Sequence, residues 1–331
     1  MTSPRKKHWV GFDLGGTKMM SAVFNEEFRT LGRKRRKTKG LEGAKVGMER
    51  IIETIRDALE EAKLENDDIA GIGIGCPGNM DLDRGVILDT ANLSWKNVHV
   101  KSILEEAFGA PTVILNDVDA GVYGEYRFGA GKNARCLVGV FPGTGIGGGC
   151  VYQGEIIRGK TMSCFEIGHM QVTPGGLLCG CGRTGCLETE ASRLAIASAA
   201  AAAAFRGEAP NLFKVAGTDV AAIRSSVLAQ AIKDGDKVVE QIVIRAARLI
   251  GSVVGDVANL LAPDIVVLGG GLVEAMPELF VSQVEEAAKN RAAPPMAKLF
   301  KVVAARLADE AVVRRAAAWA EKSQALESAA K

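Results

Sequence analysis

The amino-acid sequence predicts an α/β protein made of two related domains. Apolar segments with strand character alternate with segments of helical periodicity along the 331 residues, which is typical of the α/β class. A strand, a glycine-rich turn and a return strand occur twice, at residues 9–24 and 136–153. This repetition indicates an internal duplication, with the two glycine turns facing each other across one cleft. The chain is long enough for two domains of ordinary size.

The elements of the first half follow from periodicity and from the residues that interrupt it. In residues 44–64 the apolar side chains recur at helical spacing on one face, from Val46 to Leu59. The buried strand at 69–75 is ended by Pro77-Gly78. The segments predicted in this half are strands at 9–13, 20–24, 30–37, 69–75 and 112–115 and helices at 44–64, 100–108 and 120–128.

The second half repeats this arrangement. Its predicted segments are strands at 136–141, 150–153, 264–268 and 299–304, a mostly helical stretch at 190–261, a helix at 277–291 and a final helix at about 309–323. We expect the first domain to span residues 1–130. The second domain, which carries a cysteine-rich loop, is expected to span residues 131–308. The final helix is expected to pack back on the first domain.

The composition is that of an ordinary globular protein and gives no support for a nucleic-acid-binding, membrane or secreted protein. The chain is 47% hydrophobic and 24% charged, an ordinary globular balance. Its net charge of +2 gives no electrostatic case for a nucleic-acid or membrane partner, and the basic run at 33–37 suits a solvated loop or strand edge. No apolar segment reaches transmembrane length. The first residues lead directly into a strand and not into an apolar signal sequence, so we expect a cytoplasmic protein.

The cysteine-rich loop has the pattern of a structural zinc site. Three cysteines and one histidine form one tetrahedral zinc set, and here they are His169, Cys179, Cys181 and Cys186. A disulfide is disfavoured because it needs an oxidising compartment and because the total of seven cysteines is odd. The other four cysteines are interpreted as core or near-core thiols, namely Cys76, Cys136, Cys150 and Cys164.

The two glycine-rich turns suggest phosphate binding. In Asp13-Leu-Gly15-Gly16-Thr17-Lys18 the glycines let backbone N–H groups approach phosphate oxygens, and Asp13 can reach a metal ion on those phosphates. Gly143 to Gly149 is the second such turn, and Gly269 to Gly271 at a strand end suits a nucleotide base or ribose. Neither turn is a P-loop, and after Gly143-Thr144-Gly145 the chain returns as a strand, unlike a Rossmann turn.

Asn116-Asp117 is the best candidate for a chemical step. A carboxylate at a strand end can accept a proton from a substrate hydroxyl, and Asn116 offers a donor and an acceptor to a polyol. The same residues also fit an Asx turn or a helix N-cap. Asn92-Leu-Ser-Trp95 presents an amide beside an aromatic ring, which suits a sugar, although a buried tryptophan in an ordinary loop fits as well. No Ser-His-Asp or Cys-His pattern supports hydrolysis.

Together these motifs resemble the ROK sugar kinases (repressor, open reading frame, kinase), in particular their bacterial glucokinase branch. The resemblance is strong over residues 11–192 and thinner to residue 271. It implies the actin-like, ribonuclease-H-like ATPase fold in two duplicated domains with a cleft between them. The matching pieces are Asp13–Lys18, Gly75-Cys-Pro-Gly78, Asn92–Trp95, Asn116-Asp117, Gly143–Gly149, Glu166-Ile-Gly-His169 and Cys179–Glu188.

The resemblance implies a role for each matching residue. Asp117 would be the general base, and Asp13 would act near Mg²⁺. The sugar would contact Gly78, Asn92, Asn116, Glu166, His169 and Glu188, with His169 also a zinc ligand. The ATP phosphates would lie against Gly15, Gly16, Thr17, Lys18, Gly143, Thr144 and Gly145, and the adenosine by Gly270 and Gly271. The implied partners are a hexose and ATP, and we expect a homodimer or a higher homo-oligomer.

The implied reaction is ATP-dependent phosphorylation of a hexose, with glucose to glucose 6-phosphate as the leading prediction. Fructose, mannose or an N-acetylated amino sugar are alternatives, because Cys164-Phe165 stands where many relatives have Ala-Gly before the glutamate. A polyphosphate donor also remains open. A sugar-responsive regulator is a less favoured reading, since only eight residues precede the first strand and a sensor needs no Asp117.

Overall fold

The structure is a computed structural model that describes residues 8–16, 18–39, 42–90, 93–160, 164–307 and 311–329. The chain forms two compact units. The first contains Met1–Gly129, Ile156–Cys164 and Leu307–Lys331, and the second contains Ala130–Glu155 and Phe165–Arg306. The segment Ile156–Cys164, which the sequence prediction assigned to the second domain, therefore belongs to the first unit.

A mixed five-stranded sheet forms the centre of the first unit. The strands of this unit are β1 (His8–Leu14), β2 (Lys18–Phe24), β3 (Thr30–Lys37), β4 (Ile69–Cys76), β5 (Asn79–Asp81), β6 (Val86–Asp89), β7 (Lys96–Val98) and β8 (Thr112–Asn116). The main sheet has the order β3-β2-β1-β4-β8. β2 is antiparallel to β1 and to β3, whereas β4 is parallel to β1 and to β8. Every residue of β4 is buried, as expected for a central strand covered on both faces.

Three helices of the first unit follow these strands, namely α1 (Ala44–Ala62), α2 (Val100–Phe108) and α3 (Asp117–Phe128). α1 packs against β2 and β3 through an apolar face that includes Met48, Ile51 and Ile55. α3 begins three residues before its predicted start. The reason is that the Asn116 side chain caps the helix by accepting the backbone N–H of Val118 at 2.8 Å.

A small antiparallel sheet of β5, β6 and β7 was not predicted from the sequence. Each of its strands has only three or four residues, so no alternation of apolar and polar side chains can develop. The sheet lies between β4 and α2 in the chain and contains the residues that follow Gly78. It therefore belongs to the part of the unit that carries several candidate site residues.

The second unit has a sheet of the same strand order as the first. Its strands are β9 (Cys136–Pro142), β10 (Ile146–Tyr152), β11 (Glu155–Ile156), β12 (Ile265–Leu268) and β13 (Lys301–Ala304), in the order β11-β10-β9-β12-β13. β10 is antiparallel to β9, and β12 is parallel to β9 and to β13. In each unit the first two strands of the main sheet form a hairpin around a glycine-rich turn. The last two strands of that sheet along the chain run parallel to the first strand; they are β4 and β8 in the first unit and β12 and β13 in the second. This common topology confirms the predicted duplication.

The helices of the second unit fill the predicted helical stretch and the region beyond it. They are α4 (Leu187–Ala191), α5 (Arg193–Phe205), α6 (Pro210–Ala216), α7 (Ser225–Lys233), α8 (Lys237–Leu261), α9 (Gly271–Ala275), α10 (Pro277–Arg291) and α11 (Pro294–Ala297). The longest, α8, packs along α10. None of the described helices combines the length and the hydropathy needed to cross a lipid bilayer.

The last helix, α12 (Ala311–Ala329), packs on β1 and β4 of the first unit. The backbone of the helix directly contacts the backbone of these strands. A Cβ at Gly11 would overlap the carbonyl oxygen of Val313, and a Cβ at Gly73 would overlap that of Ala316. The helix therefore lies directly over two central strands at positions where only glycine leaves room.

Candidate functional site

Two candidate residues and one core cysteine lie at the carboxyl edge of the first sheet. Asp13 lies near the end of β1, Cys76 ends β4 and Asn116 ends β8. These strands are parallel neighbours, with Asp13 in register with Gly75 and Cys76 in register with Asn116. In open α/β sheets, ligands bind outside the carboxyl ends of the strands, so this edge is the expected place for a site.

Asp117 is the first residue of α3 and follows this edge directly. The backbone N–H of Val118 is shared between Asn116 Oδ1 at 2.8 Å and Asp117 Oδ1 at 2.9 Å. The residue keeps solvent-exposed surface, yet desolvation by the surrounding protein raises the pKa of Asp117, against the opposing effect of the Val118 N–H. A carboxylate that is reachable and more basic than usual is suited to accept a proton. The cap interpretation holds for Asn116, and Asp117 Oδ1 shares the same N–H.

The thiol of Cys76 is influenced by two nearby acids, Asp13 and Asp117. This side chain is fully buried, as the sequence predicted. Burial raises its pKa far above the ordinary thiol value, and the negative charges of Asp13 and Asp117 raise it further. Both carboxylates are therefore close enough to act on the same sulfur atom, and Cys76 itself stays protonated.

The remaining candidates of the first unit differ in exposure and backbone geometry. Gly78 has φ of +93°, and a Cβ there would overlap the carbonyl oxygen of Asp89, so the backbone requires glycine. Lys18 is exposed at the start of β2. Trp95 is 1% exposed, so it is a core residue and its ring presents no open face for a sugar. The described residues also include Gly15 and Gly16, whereas Thr17 and Asn92 lie outside the described ranges.

The predicted zinc residues come together in the second unit. One potential ligand atom each from His169, Cys179, Cys181 and Cys186 lies within 4.8 Å of all the others. His169 Nδ1 is 3.5 Å from Cys179 Sγ, and the Sγ atoms of Cys181 and Cys186 are 3.7 Å apart. Tetrahedral zinc with its usual bond lengths would separate nitrogen and sulfur by about 3.6 Å and two sulfurs by about 3.8 Å. The residues therefore fit a zinc ion.

Local turns hold the cluster in shape. The Cys179 backbone N–H donates to Arg183 O at 2.7 Å, and the Gly182 N–H donates back to Cys179 O at 2.9 Å. The Arg183 guanidinium also donates to His169 O at 2.6 Å. Hydrogen bonding by the Arg183 backbone N–H lowers the pKa of Cys181 to about 6, whereas burial raises that of Cys186 to about 11. A metal ion at this position would hold both sulfurs as thiolates.

Glu188 links the cysteine cluster to the second glycine turn. Its Oε2 accepts the backbone N–H of Ile146 at 2.9 Å, and its Oε1 lies 3.9 Å from Cys179 Sγ. A Cβ at Gly145 would overlap this carboxylate, so the turn requires glycine next to the acid. The predicted sugar residue Glu188 and the predicted phosphate residue Gly145 are therefore in direct contact.

The turn between β9 and β10 is also tied to the start of α5. Gly143 O accepts the backbone N–H of Arg193 at 2.8 Å, and Thr144 Oγ1 accepts from Arg193 Nη2 at 3.2 Å. Within the turn, the Gly143 N–H donates to Gly145 O at 2.8 Å. Sequence reasoning missed Arg193, because it follows the recognisable motifs and belongs to none of them.

Glu166 is preceded by a strained residue. Glu166 itself is exposed and begins a short helical turn, Ile167–His169. Phe165 has φ of +68°, a conformation that is rare and costly for an aromatic residue. Its carbonyl oxygen and ring pack against Gly148 on β10, where a Cβ would not fit. Backbone strain of this kind is often found at functional sites.

A cavity of about 580 Å³ opens beside the predicted adenosine residues. Gly271 lines it, and Gly270 has φ of +82° with no room for a Cβ against Pro142 O. The other lining residues are Arg193, Ala221, Arg224, Ser225, Ser226, Glu274 and Ala275. The sequence predicted the glycines but none of these side chains, because they come from separate segments with no common motif.

Known proteins resemble this chain in sequence and fold. The ROK family profile matches residues 9–323. The glucokinase of Streptomyces coelicolor is 32% identical over 265 residues, which cover 80% of this chain and 81% of the relative. The ROK hexokinase of Thermus thermophilus superposes with a TM-score of 0.81 at 32% identity, covering 96% of this chain and 98% of that one. The ROK glucokinase of Streptomyces griseus, solved with glucose and AMPPNP, gives 0.78 at 31% identity, with coverages of 95% and 99%.

Two sheets of equal strand order, each with a glycine turn between its first two strands, define the actin-like, ribonuclease-H-like ATPase fold in this protein. The chain belongs to the ROK family. The resemblance noted in the sequence motifs and the predicted fold class are both confirmed.

Proposed function

We propose that this protein is an ATP-dependent hexose kinase that converts glucose to glucose 6-phosphate. The observation that carries the proposal is the position of Asp117, an accessible carboxylate of raised pKa that follows Asn116 at the carboxyl edge of the first sheet, the edge that also carries Asp13. The names of the similar proteins support the reaction, since the Streptomyces coelicolor relative is a glucokinase and the Streptomyces griseus structure holds glucose and an ATP analogue.

Asp117 acts as the general base in this proposal. Its carboxylate takes the proton from the sugar hydroxyl while the hydroxyl oxygen forms a bond to the γ-phosphorus of ATP. The bond from that phosphorus to the bridging oxygen breaks, and ADP leaves with the electron pair. Asp117 then releases the proton to solvent. Positioned bases of this kind contribute about 10²–10⁴-fold to a rate.

Several of the proposed sugar contacts already take part in hydrogen bonds. Asn116 Oδ1 is already engaged in capping α3, so its Nδ2 is the group left to donate to a hydroxyl. Glu166 is exposed, and Glu188 Oε2 already accepts one N–H. The complete proposed set is Gly78, Asn92, Asn116, Asp117, Glu166, His169 and Glu188.

The zinc ion is proposed to shape this site without taking part in the reaction. Zinc would be held by His169 Nδ1 and by the sulfurs of Cys179, Cys181 and Cys186, whose spacing fits a tetrahedral ion. A metal at Nδ1 leaves the proton on Nε2, which can then donate to a sugar hydroxyl. The same loop carries Glu188, so the ion would also fix the position of that carboxylate.

ATP and Mg²⁺ complete the proposed site. Asp13 offers the carboxylate oxygen that Mg²⁺ prefers, and the ion would neutralise phosphate charge. The phosphates are proposed to lie against the backbone of the two turns and the adenosine against the strand end after β12. The proposed nucleotide residues are Gly15, Gly16, Thr17, Lys18, Gly143, Thr144, Gly145, Gly270 and Gly271.

The preference for glucose is the finer part of the proposal. Phe165 precedes Glu166 and fills space over Gly148, so a bulky substituent on the sugar would compete with its ring. We therefore place glucose ahead of the N-acetylated amino sugars. Fructose and mannose carry no such group and remain the alternatives within the same reaction.

A coupled assay tests the proposal. ADP release would be followed with purified protein, MgATP and, in parallel, glucose, mannose, fructose, N-acetylglucosamine and N-acetylmannosamine. We expect the highest kcat/KM with glucose. Absence of turnover with every hexose would overturn the kinase assignment, and a higher kcat/KM with another sugar would replace glucose by that sugar.

A further inference from the structure

Arg193 makes two separate contacts with the second glycine turn. Its backbone N–H donates to Gly143 O at 2.8 Å, and its guanidinium donates through Nη2 to Thr144 Oγ1 at 3.2 Å. The same side chain lines the cavity beside Gly271. One residue thus contacts both the turn proposed for the phosphates and the cavity proposed for the nucleotide.

Contacts other than this guanidinium hold the start of α5 in place. The backbone N–H of Arg193 already ties α5 to the turn, and the Ser192 side chain caps α5 by accepting the Ala195 N–H at 3.2 Å. Among the described residues, no carboxylate forms an ion pair with Arg193. A partly exposed arginine held in place by a neutral hydroxyl keeps its positive charge and most of its five N–H donors for another acceptor.

The cavity favours a phosphate as that acceptor. Arg224 is the second cation of the lining, and Ser225 and Ser226 add hydroxyl groups. Glu274 is the single acidic residue of the lining. Two guanidinium groups in one cavity of this size match a chain of anionic phosphates better than they match a neutral sugar, because arginine binds phosphate oxygens through charge-assisted hydrogen bonds.

We propose that Arg193 is a positioning residue for the phosphoryl donor, which holds the Thr144 hydroxyl and contacts a phosphate group of the nucleotide. This inference rests on the proposed kinase function and extends it to a side chain outside the family motifs. It requires the Arg193 side chain to strengthen the binding of nucleotides that carry phosphates and to have no effect on the binding of adenosine, which carries none.

The test uses the full-length protein with three variants. Arg193→Met removes the charge and the donors at similar length, Arg193→Lys keeps the charge, and Arg248→Met on α8 is the matched control, since Arg248 bonds to Gln283 and lies outside this cavity. Calorimetry would measure binding of MgADP and of adenosine, and steady-state assays would measure KM for ATP and for glucose.

For Arg193→Met we expect a rise of about 10- to 100-fold in the Kd of MgADP and in KM for ATP, as for loss of a hydrogen bond to a charged group. The Kd of adenosine and KM for glucose should stay unchanged. Arg193→Lys should restore part of the loss, and Arg248→Met should resemble the wild type. A role confined to packing would weaken adenosine and ADP alike.

A double-mutant cycle with Thr144→Val tests the positioning step. If the guanidinium acts partly through the Thr144 hydroxyl, the loss of ADP affinity in the double variant should be smaller than the product of the two single losses. Unchanged ADP affinity in Arg193→Met, with wild-type protein that binds ADP, would overturn this inference alone. Wild-type protein that binds no nucleotide and phosphorylates no hexose would overturn the proposed function as well.

Discussion

The carboxylate of Glu188 accepts the backbone N–H of Ile146 at 2.9 Å, so an acid beside the cysteine cluster also fixes the first residue of β10. Ile146 directly follows the turn of Gly143, Thr144 and Gly145. We therefore expect a disturbance of the cysteine cluster to affect the turn through this hydrogen bond. This contact joins the proposed zinc site and the proposed phosphate site in one structural unit.

The first prediction concerns zinc. Protein purified without chelators should contain about one zinc ion per chain by elemental analysis, the expected content of a structural site with four ligands. Cys181→Ser should lower the zinc content and raise both KM values, for glucose and for ATP, because Glu188 connects the cluster to the turn. Cys164→Ser is the control, since the Cys164 thiol donates a hydrogen bond to Ile157 O and belongs to the first unit. A well-folded, active preparation without zinc would contradict this prediction.

The second prediction concerns the general base. Asp117→Asn should lower kcat by about 10²–10⁴-fold while glucose binding persists, because the amide keeps the shape of the side chain and cannot accept the proton. Circular dichroism should be unchanged. A variant with near wild-type turnover would show that another group accepts the proton.

The third prediction concerns pH. The pKa of Asp117 lies above the ordinary 3.8 because of desolvation. Since the base must be ionised, kcat/KM should fall as the pH decreases through this raised value. The sign for stability is opposite: a raised pKa stabilises the folded state below pH 3.8, and this contribution is lost as the pH rises through the folded-state value. Wild type should therefore lose stability relative to Asp117→Asn as the pH increases from acid to neutral, as thermal melts can measure.

The fourth prediction concerns Phe165. Phe165→Gly should relax the selectivity against N-acetylglucosamine, measured as the ratio of its kcat/KM to that of glucose. The φ of +68° costs a non-glycine residue about 1–2 kcal/mol, so the glycine also relieves strain while it loses the ring contact. Phe165→Leu, which keeps a large side chain, is the matched control. An unchanged ratio in the glycine variant would exclude the ring as the selective element.

The fifth prediction concerns a buried ion pair of the first unit. Glu125 is fully buried, lies 3.6 Å from Arg315 and accepts the backbone N–H of Leu307 at 2.9 Å. Glu125→Ala would leave the arginine without its carboxylate and should lower the free energy of unfolding by about 3–5 kcal/mol in urea titrations. Glu208→Ala, which breaks the exposed pair with Arg206, should change it by less than about 1 kcal/mol. Equal effects of the two substitutions would contradict this difference.

Much of the fold could be predicted because its strongest signals are local. The helices at Val100–Phe108 and Pro277–Arg291 have the predicted bounds, since their apolar spacing and flanking glycine or proline residues are plain in the sequence. β10 begins four residues before its predicted start. Its three glycines have low strand propensity, yet they pair with β9 from Gly147 to Gly149. Pairing with a neighbouring strand overrode the local preference.

Long-range contacts could not be predicted. The segment Ile156–Cys164 belongs to the first unit, where the Arg158 guanidinium lies 4.9 Å from the centre of the Trp319 ring. Nothing in the local sequence pairs these two residues. The candidate site divides in the same way. Contiguous motifs marked the cysteine cluster and the glycine turns, whereas Arg193, Arg224 and Glu274 come from three separate segments that meet only through packing.

The position of α12 on β1 and β4 has a consequence for biosynthesis. Val313 and Ala316 of α12 cover one face of the two central strands at Gly11 and Gly73. These two residues of α12 are translated after the whole second unit. Domains usually fold in the order in which they leave the ribosome. Here the sheet that is made first would be covered last, so the second unit is expected to mature before the first. The newly made first unit would meanwhile expose to solvent the face of β1 and β4 that α12 covers in the folded protein.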